Sequence, residues 1–195
     1  MLAGRADPFD TAELRRRVLA AWAGSPARFR EDANAEEDLV RGGYRDRLLV
    51  ELAQNAADAA VRAGVPGRLR LELATVGGGG EVLHAANTGA PLDAAGVAGL
   101  ASLRASAKRD GARTVGRFGV GFAAVLAVSD EPAVHSRHGG VRFSAARTRA
   151  EVADVGALAG ELARREGAVP VLRLPWPDGG PPPEGYATEV VLPLR

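Results

Sequence analysis

Glu51, Asn55 and Asp58 are spaced so that one face of a helix would carry a carboxylate, an amide and a second carboxylate. At about 100° per residue the three fall within roughly 60° of one another. Leu49, Ala53, Ala56 and Ala60 gather on the opposite side. A carboxylate one turn from an amide oxygen is the donor set of a site that activates water and holds magnesium. An ordinary amphipathic helix shows the same stripe to solvent, so its meaning depends on what the rest of the chain brings to it.

Three further segments could contribute. Gly116-Arg117-Phe118-Gly119-Val120-Gly121-Phe122 sets glycines at spacings of three and two before an apolar helix. Bare backbone amides at a helix start can approach a phosphate closely. No Gly-Lys-Ser/Thr follows and no strand precedes, so the segment is neither a P-loop nor a dinucleotide fingerprint. Asn87-Thr88-Gly89-Ala90-Pro91 sits at a strand end, a usual location for a residue that reads a ligand, although these residue types also make a plain β-turn. Thr188 opens the last strand and taken alone is an ordinary β-former. Lys108 is the only lysine of an arginine-rich chain and shares a loop with Ser106; a solvated lysine and a phosphate contact both fit it.

The elements that must position these groups follow from periodicity. Asp10 or Thr11 can cap a helix running to about Trp22, which Ser25-Pro26 breaks. A polar segment spans Arg28 to Asp38, then Gly42-Gly43 precede the helix carrying Glu51, which Gly64 and Pro66-Gly67 end. Arg68 to Leu73 alternates strictly and reads as a strand, paired through the Gly77–Gly80 turn with Glu81 to Ala86. Asn87 to Gly121 is loosely patterned, with a weak helix at Ala94 to Leu103, and reads as a functional loop or lid centred on residues 92–115. Val120 to Val128 reads as a buried helix, Val134–Ser136 and Val141–Ser144 as a hairpin around Gly139-Gly140, and Glu151–Glu166 as a helix. Val169–Leu174 reads as a strand, Pro175–Gly185 as a loop and Thr188–Leu192 as the final strand. The pattern predicts an α/β two-layer sandwich: one mixed, mostly antiparallel sheet with helices on one face. Residues 1–9 are expected to be a flexible tail and 10–195 a single domain.

Composition narrows the function. The chain is 46% apolar and 25% charged, which suits a folded domain. A formal net charge of +1, with basic and acidic residues interspersed, argues against nucleic acid or a membrane surface as partner. The absence of cysteine excludes disulfides and thiolate metal sites. Met1 to Asp10 lacks the apolar core of a signal peptide, and the longest apolar run, Val120 to Val128, is too short to span a bilayer. A cytoplasmic location is the expectation.

Taken in order, Glu-x-x-x-Asn-x-x-Asp-Ala, a strand ending Asn-x-Gly, a glycine-rich lid, Gly-x-x-Gly-x-Gly-Phe and a strand opening Ala-Thr resemble the GHKL ATPase superfamily. That superfamily includes gyrase, heat-shock chaperones, histidine kinases and MutL. The Glu51–Ala59 and Gly116–Phe122 segments and the Thr188 strand are most similar to the heat-shock chaperone and sacsin branch, over about residues 38–195. The resemblance implies that Glu51 is the general base on the attacking water and that Asn55 is the magnesium ligand. It implies that Asp58, on the same face, either stands beside the nucleotide or supports a residue that does. It also implies that Gly116, Gly119, Val120, Gly121 and Phe122 wrap the phosphates through backbone amides. Thr188 would hold a water or the base, and Ser106 and Lys108 would lie near the phosphates from the lid. ATP and Mg2+ are the implied cofactors, with protein clients or downstream domains as further partners.

The chain departs from the gyrase and chaperone pattern Asp-x-Gly-x-Gly, because Asn87 stands at the adenine-reading Asp and Pro91 at the second glycine. An amide at position 87 could accept from the adenine amino group through oxygen and donate to the ring through nitrogen, without the charge assistance of a carboxylate. Two functions are therefore expected: a magnesium-dependent ATPase, and an ATP-binding switch that hydrolyses little. A histidine kinase domain fits poorly, since Glu51 has no counterpart there and His84, His135 and His138 fall in or near strands. The resemblance further implies an isolated ATPase module, slow in turnover without the domains that follow in chaperone-like relatives.

Overall fold

The computed structural model describes residues 7–41, 47–101 and 120–195. Ser106, Lys108, Gly116 and Gly119, with most of the expected lid, lie outside the described residues. Among the described residues six strands form one sheet in the order β1-β2-β6-β3-β4-β5. They are β1 Leu69–Thr75, β2 Glu81–Asn87, β3 Ala133–Ser136, β4 Gly139–Arg142, β5 Trp176–Asp178 and β6 Thr188–Pro193. Every pairing among them is antiparallel. The β1–β2 turn closes through Val76 N donating to Gly80 O at 2.8 Å, with Gly78 and Gly79 at φ 94° and 84°, a backbone that favours glycine.

Because strand residues alternate between faces, the sheet has two distinct sides. Leu83 and Ala85 of β2, Val134 of β3, Val141 of β4 and Val190 and Leu192 of β6 point to one side, where they join the main core. The helices of that layer are α3 Leu48–Ala63, α4 Ala94–Ala101 and the 3₁₀ helix Val120–Ala127. They supply Leu48, Leu52, Val97, Leu100 and the buried run Phe122 to Leu126 to the same core. A second cluster joins α1 Thr11–Gly24, α2 Pro26–Arg41 and α5 Ala145–Ala153 to the β5 region through Trp22, Phe29, Val152, Leu158, Leu174 and Trp176. Trp22 and Phe29 meet edge to face, 5.2 Å between ring centres. The short α6 Ala159–Arg164 completes the helices. The architecture is thus an α/β fold of one antiparallel sheet covered by helices. Among the described residues no helix is long and apolar enough to cross a membrane.

Several expectations change. The polar segment 28–38, to which the sequence assigned no element, is most of α2. Pro26 suits a first helical turn, and Phe29, Ala33 and Glu36 recur on one buried stripe with Asp32 beside it. The helix α1 is not capped by Asp10 or Thr11. Asp10 is left-handed without a capping bond, and Asp7 Oδ2 instead accepts from the Thr11 hydroxyl at 2.9 Å and from Ala12 N at 3.2 Å. The expected helix 151–166 begins earlier, where Ser144 caps α5 by accepting from Arg147 N, and breaks before α6. Gly139 and Gly140 belong to β4 and not to the hairpin turn. The expected loop 175–185 contains β5.

The segment 169–174 is a 3₁₀ turn at Val171–Arg173 and not a strand. Its amides go elsewhere: Val171 N and Leu172 N donate to the Glu36 carboxylate at 2.6 and 3.2 Å. Glu36 is almost wholly buried. Burial pushes its pKa up to about 7, against the opposing pull of Arg173 and the two amides. Nearby Asp32 accepts from Trp22 Nε1 at 2.9 Å.

The far side of the sheet is polar. There Arg70 pairs with Glu72, His84 Nδ1 meets Glu189 at 3.0 Å, His135 Nε2 meets Asp178 at 3.1 Å, and Arg142 pairs with the same Asp178 at 2.9 Å. The Glu189 carboxylate beside its Nδ1, 3.7 Å away and so a charge contact only, and the Asp178 hydrogen bond raise the His135 pKa against burial. A hollow of about 230 Å3 on this side, bordered by Arg70, Glu72, His84 and Glu189, is separated from Glu51 by the sheet.

Candidate functional site

Helix α3 ends where the sequence says it should, with Gly64 in the left-handed conformation after Ala63. Its polar stripe, however, does not oppose its apolar one. The buried residues are Leu48, Leu52, Ala56, Ala59 and Ala60, whereas Leu49 is 52% exposed and Ala53 is exposed. Glu51, Asn55 and Asp58 are each half-buried, along the border of the buried face. Asn55 lies roughly 20–40° from Leu48 and Ala59 on the helical wheel. The stripe is turned towards the protein and not away from it.

Glu51 meets the 3₁₀ helix. A Cβ built on Gly121 would overlap the Glu51 carboxylate, so the two groups touch only because residue 121 has no side chain. Phe122, the next residue, is buried with Leu48 and Leu52 in the main core, which fixes the helix against α3. Val120 forms the first turn of the same 3₁₀ helix. The Glu51 carboxylate has no hydrogen bond or ion pair to another described residue.

The Asn87–Gly89 segment docks on the other end of α3. Gly89 has φ 113°, and a Cβ there would fall on the backbone of Ala59 and Ala60. Ala90 N donates to Ala59 O at 2.9 Å. Thr88 ties the same corner to β1, its hydroxyl donating to Pro66 O at 3.0 Å and accepting from Arg68 N at 2.9 Å. This is the turn that residue types suggest, held one turn from Asn55 and beside Asp58.

Asn87 and Thr188 are cross-strand neighbours, paired directly in the β2–β6 register. Thr188 in turn pairs with Ser136 of β3. The three form one row on the helix-facing side, and all are buried. Asn87 Nδ2 donates to Thr88 O at 2.9 Å. A carbonyl can only accept, so this contact fixes the amide and leaves Oδ1 as the free acceptor. The amide nitrogen carries two N–H groups, so one donor remains beside the free Oδ1 after the bond to Thr88. Ser136 donates to Leu92 O at 2.9 Å and accepts from His138 N at 3.2 Å, joining the row to the start of the α4 segment. Sequence reasoning did not select Ser136, since its place depends on β3 pairing with β6, a contact between distant segments.

Two buried polar atoms of the candidate set have no partner, Asn55 Nδ2 and Thr188 Oγ1. A buried polar group without a partner costs about 1–3 kcal/mol, a cost that a ligand or water can remove. Among the described residues no group of three or more His, Asp or Glu side chains could hold a metal by itself. The donor set does fit an ion held mostly by phosphate and water. Magnesium keeps several waters and takes only one or two protein oxygens, and turning the Asn55 amide over would put its oxygen at the unpartnered buried position. The structure thus joins Glu51 to Gly121, Gly89 to the α3 backbone, and Asn87 to Thr188. No family model matches the chain and no curated protein is significantly similar to it, so its function must be read from these residues.

Proposed function

We propose that the chain is a magnesium-dependent ATP-binding domain of the GHKL type that hydrolyses ATP to ADP and phosphate. The observation that carries this reading is the contact of Glu51 with Gly121. A carboxylate with no bond to another described residue is pressed against a glycine in the first turn of a buried 3₁₀ helix. In this reading Glu51 takes a proton from water as the water oxygen attacks the terminal phosphorus, and the bond to the bridging oxygen breaks with its electron pair leaving on ADP. Asn55 would hold magnesium through its side-chain oxygen, and the ion when bound neutralises phosphate charge. Gly121 and Phe122 offer backbone amides to the phosphates. Asp58 and Thr188 line the base side, and Asn87 Oδ1 accepts from the adenine amino group. Ser106 and Lys108 would act from the lid. Chaperone-like clients and domains would be the partners.

Calorimetry with ATP and magnesium, alongside a phosphate-release assay, tests it. Glu51→Ala is expected to bind ATP and to lose turnover by at least about a hundredfold, the usual scale of general-base catalysis. Hydrolysis that survives in this variant sinks the assignment. One observation favours a second reading, an ATP-binding switch with little hydrolysis. Asn87 offers adenine a neutral amide without the charge assistance of a carboxylate, and one of its two N–H groups is engaged with Thr88 O. Binding without phosphate release in the wild-type chain favours the switch, and no binding rejects both.

A further inference from the structure

Among the described residues most of the large exposed apolar groups lie from the end of α3 to the turn after the edge strand β1, with Leu71 and Leu73 on the strand itself. Of the seven large hydrophobic residues that are exposed, Leu49, Val50, Val61, Val65, Leu71, Leu73 and Val76, the last five lie between residues 61 and 76. Among the described residues strand β1 pairs only with β2, and its other edge has no strand beside it. Apart from the charges of Arg70 and Glu72, the edge lacks the usual protections of a bulge or a proline. Its register with β2 runs unbroken from Leu69 to Thr75, and it contains no proline.

The free edge has a defined hydrogen-bonding face. Thr88 N donates to Arg68 O and Val76 N donates to Gly80 O, so the even-numbered positions turn their backbone groups towards β2. By alternation Leu69, Leu71, Leu73 and Thr75 turn their N–H and C=O groups outward. The side chains of these odd positions lie on the helix-facing side, and those of Arg70 and Glu72 on the polar side.

We propose that β1 is a homodimerisation edge, pairing antiparallel with β1 of a second copy about a two-fold axis at Leu71. In that register Leu71 faces Leu71 of the second copy and exchanges both backbone bonds with it. Leu69 faces Leu73, also with outward-turned backbone groups. On the polar side Arg70 of each copy faces Glu72 of the other, so the strand is complementary to itself in charge. The neighbouring registers are not. An axis at Leu69 sets Arg68 against Arg70, and an axis at Leu73 leaves Arg70 opposite Val76 and Glu72 opposite Ala74. An axis at Arg70 sets Arg70 against Arg70 and an axis at Glu72 sets Glu72 against Glu72, so only the axis at Leu71 joins opposite charges without setting like charges face to face. Such a contact is isologous and closes after two copies, whereas an unspecific sticky edge would continue to add chains.

Sedimentation equilibrium of the full 195-residue chain, from about 1 µM to about 1 mM, spans the affinities a single strand edge can supply. The wild-type chain is expected to form a dimer that dissociates on dilution. Arg70→Glu and Glu72→Arg, each of which sets like charges opposite one another, are expected to weaken dimerisation by at least about tenfold. The double variant R70E/E72R is expected to restore it. Amide hydrogen exchange supplies a readout without mutation: the Leu71 N–H should slow with rising concentration while the Arg70 N–H, already bonded to β2, does not change. A wild-type chain that is monomeric throughout, single reversals that dimerise as the wild type does, or exchange at Leu71 that ignores concentration overturns the proposal.

Discussion

Gly121 shows how much one absent side chain can do. Any Cβ at this position would overlap the Glu51 carboxylate, and the overlap falls on the end of a side chain that can move. Gly121→Ala is therefore expected to fold but to push the carboxylate from its place. In the proposed reaction a displacement of that size lowers turnover by about a hundredfold, with ATP binding changed far less. Phosphate release and calorimetry on the same preparation separate the two effects, and unchanged turnover would mean that the contact has no part in the chemistry. Asn55 and Thr188 are the complementary case, since each keeps a buried polar atom without a partner. At this scale the sequence is a good guide to which residues matter and a poor one to what they do. Glu51, Asn55 and Asp58 do share a stripe, but the stripe borders the buried face, because Leu48 and Ala59 complete that face where Leu49 and Ala53 were expected to.

Among the elements, the corner where β2 meets α3 sets the geometry of the candidate site. Gly89 combines a left-handed backbone with direct contact on Ala59 and Ala60, neither of which a side chain tolerates. Gly89→Ala is expected to cost about 2–4 kcal/mol of stability, read as a lowered urea midpoint, and a change under about 0.5 kcal/mol would show that the corner relaxes freely. Strand β1 was legible from alternation, β2 from the glycine turn that joins it to β1, and α3 from its end signals, because each pattern is local. Helix α2 was not, since its stripe includes Asp32 and Glu36. Those carboxylates can be buried only because Trp22, Val171 and Leu172 supply donors from other parts of the chain. For the same reason 171–173 failed to become a strand: its amides had found a carboxylate and not a neighbouring backbone. The row Asn87–Thr188–Ser136 was two-thirds legible, and the missing member is the one placed by long-range pairing.

At the scale of the whole molecule, two layers meet through a sheet that is apolar on one side and charged on the other, and Glu36 ties α2 to the 171–173 turn beneath it. That carboxyl makes global stability depend on pH. Its pKa rises from 4.5 to about 7 on folding, so the folded chain keeps a proton that the unfolded chain has released. The contribution is complete below 4.5 and is lost as pH rises through about 7, on the order of 3 kcal/mol in all. Glu36→Gln cannot ionise, so its denaturation midpoint should fall less than that of the wild type between pH of about 5 and about 8. Equal falls in the two proteins would show that Glu36 does not drive the effect. The meeting of Gly121 with Glu51 has a consequence on a longer timescale. Two positions that share one space cannot drift separately: a descendant that gains a side chain at 121 displaces the carboxylate at 51 and frees that position to change. Loss of the carboxylate would then be hard to reverse, because the first substitution at 121 fills the room that a returning glutamate would need.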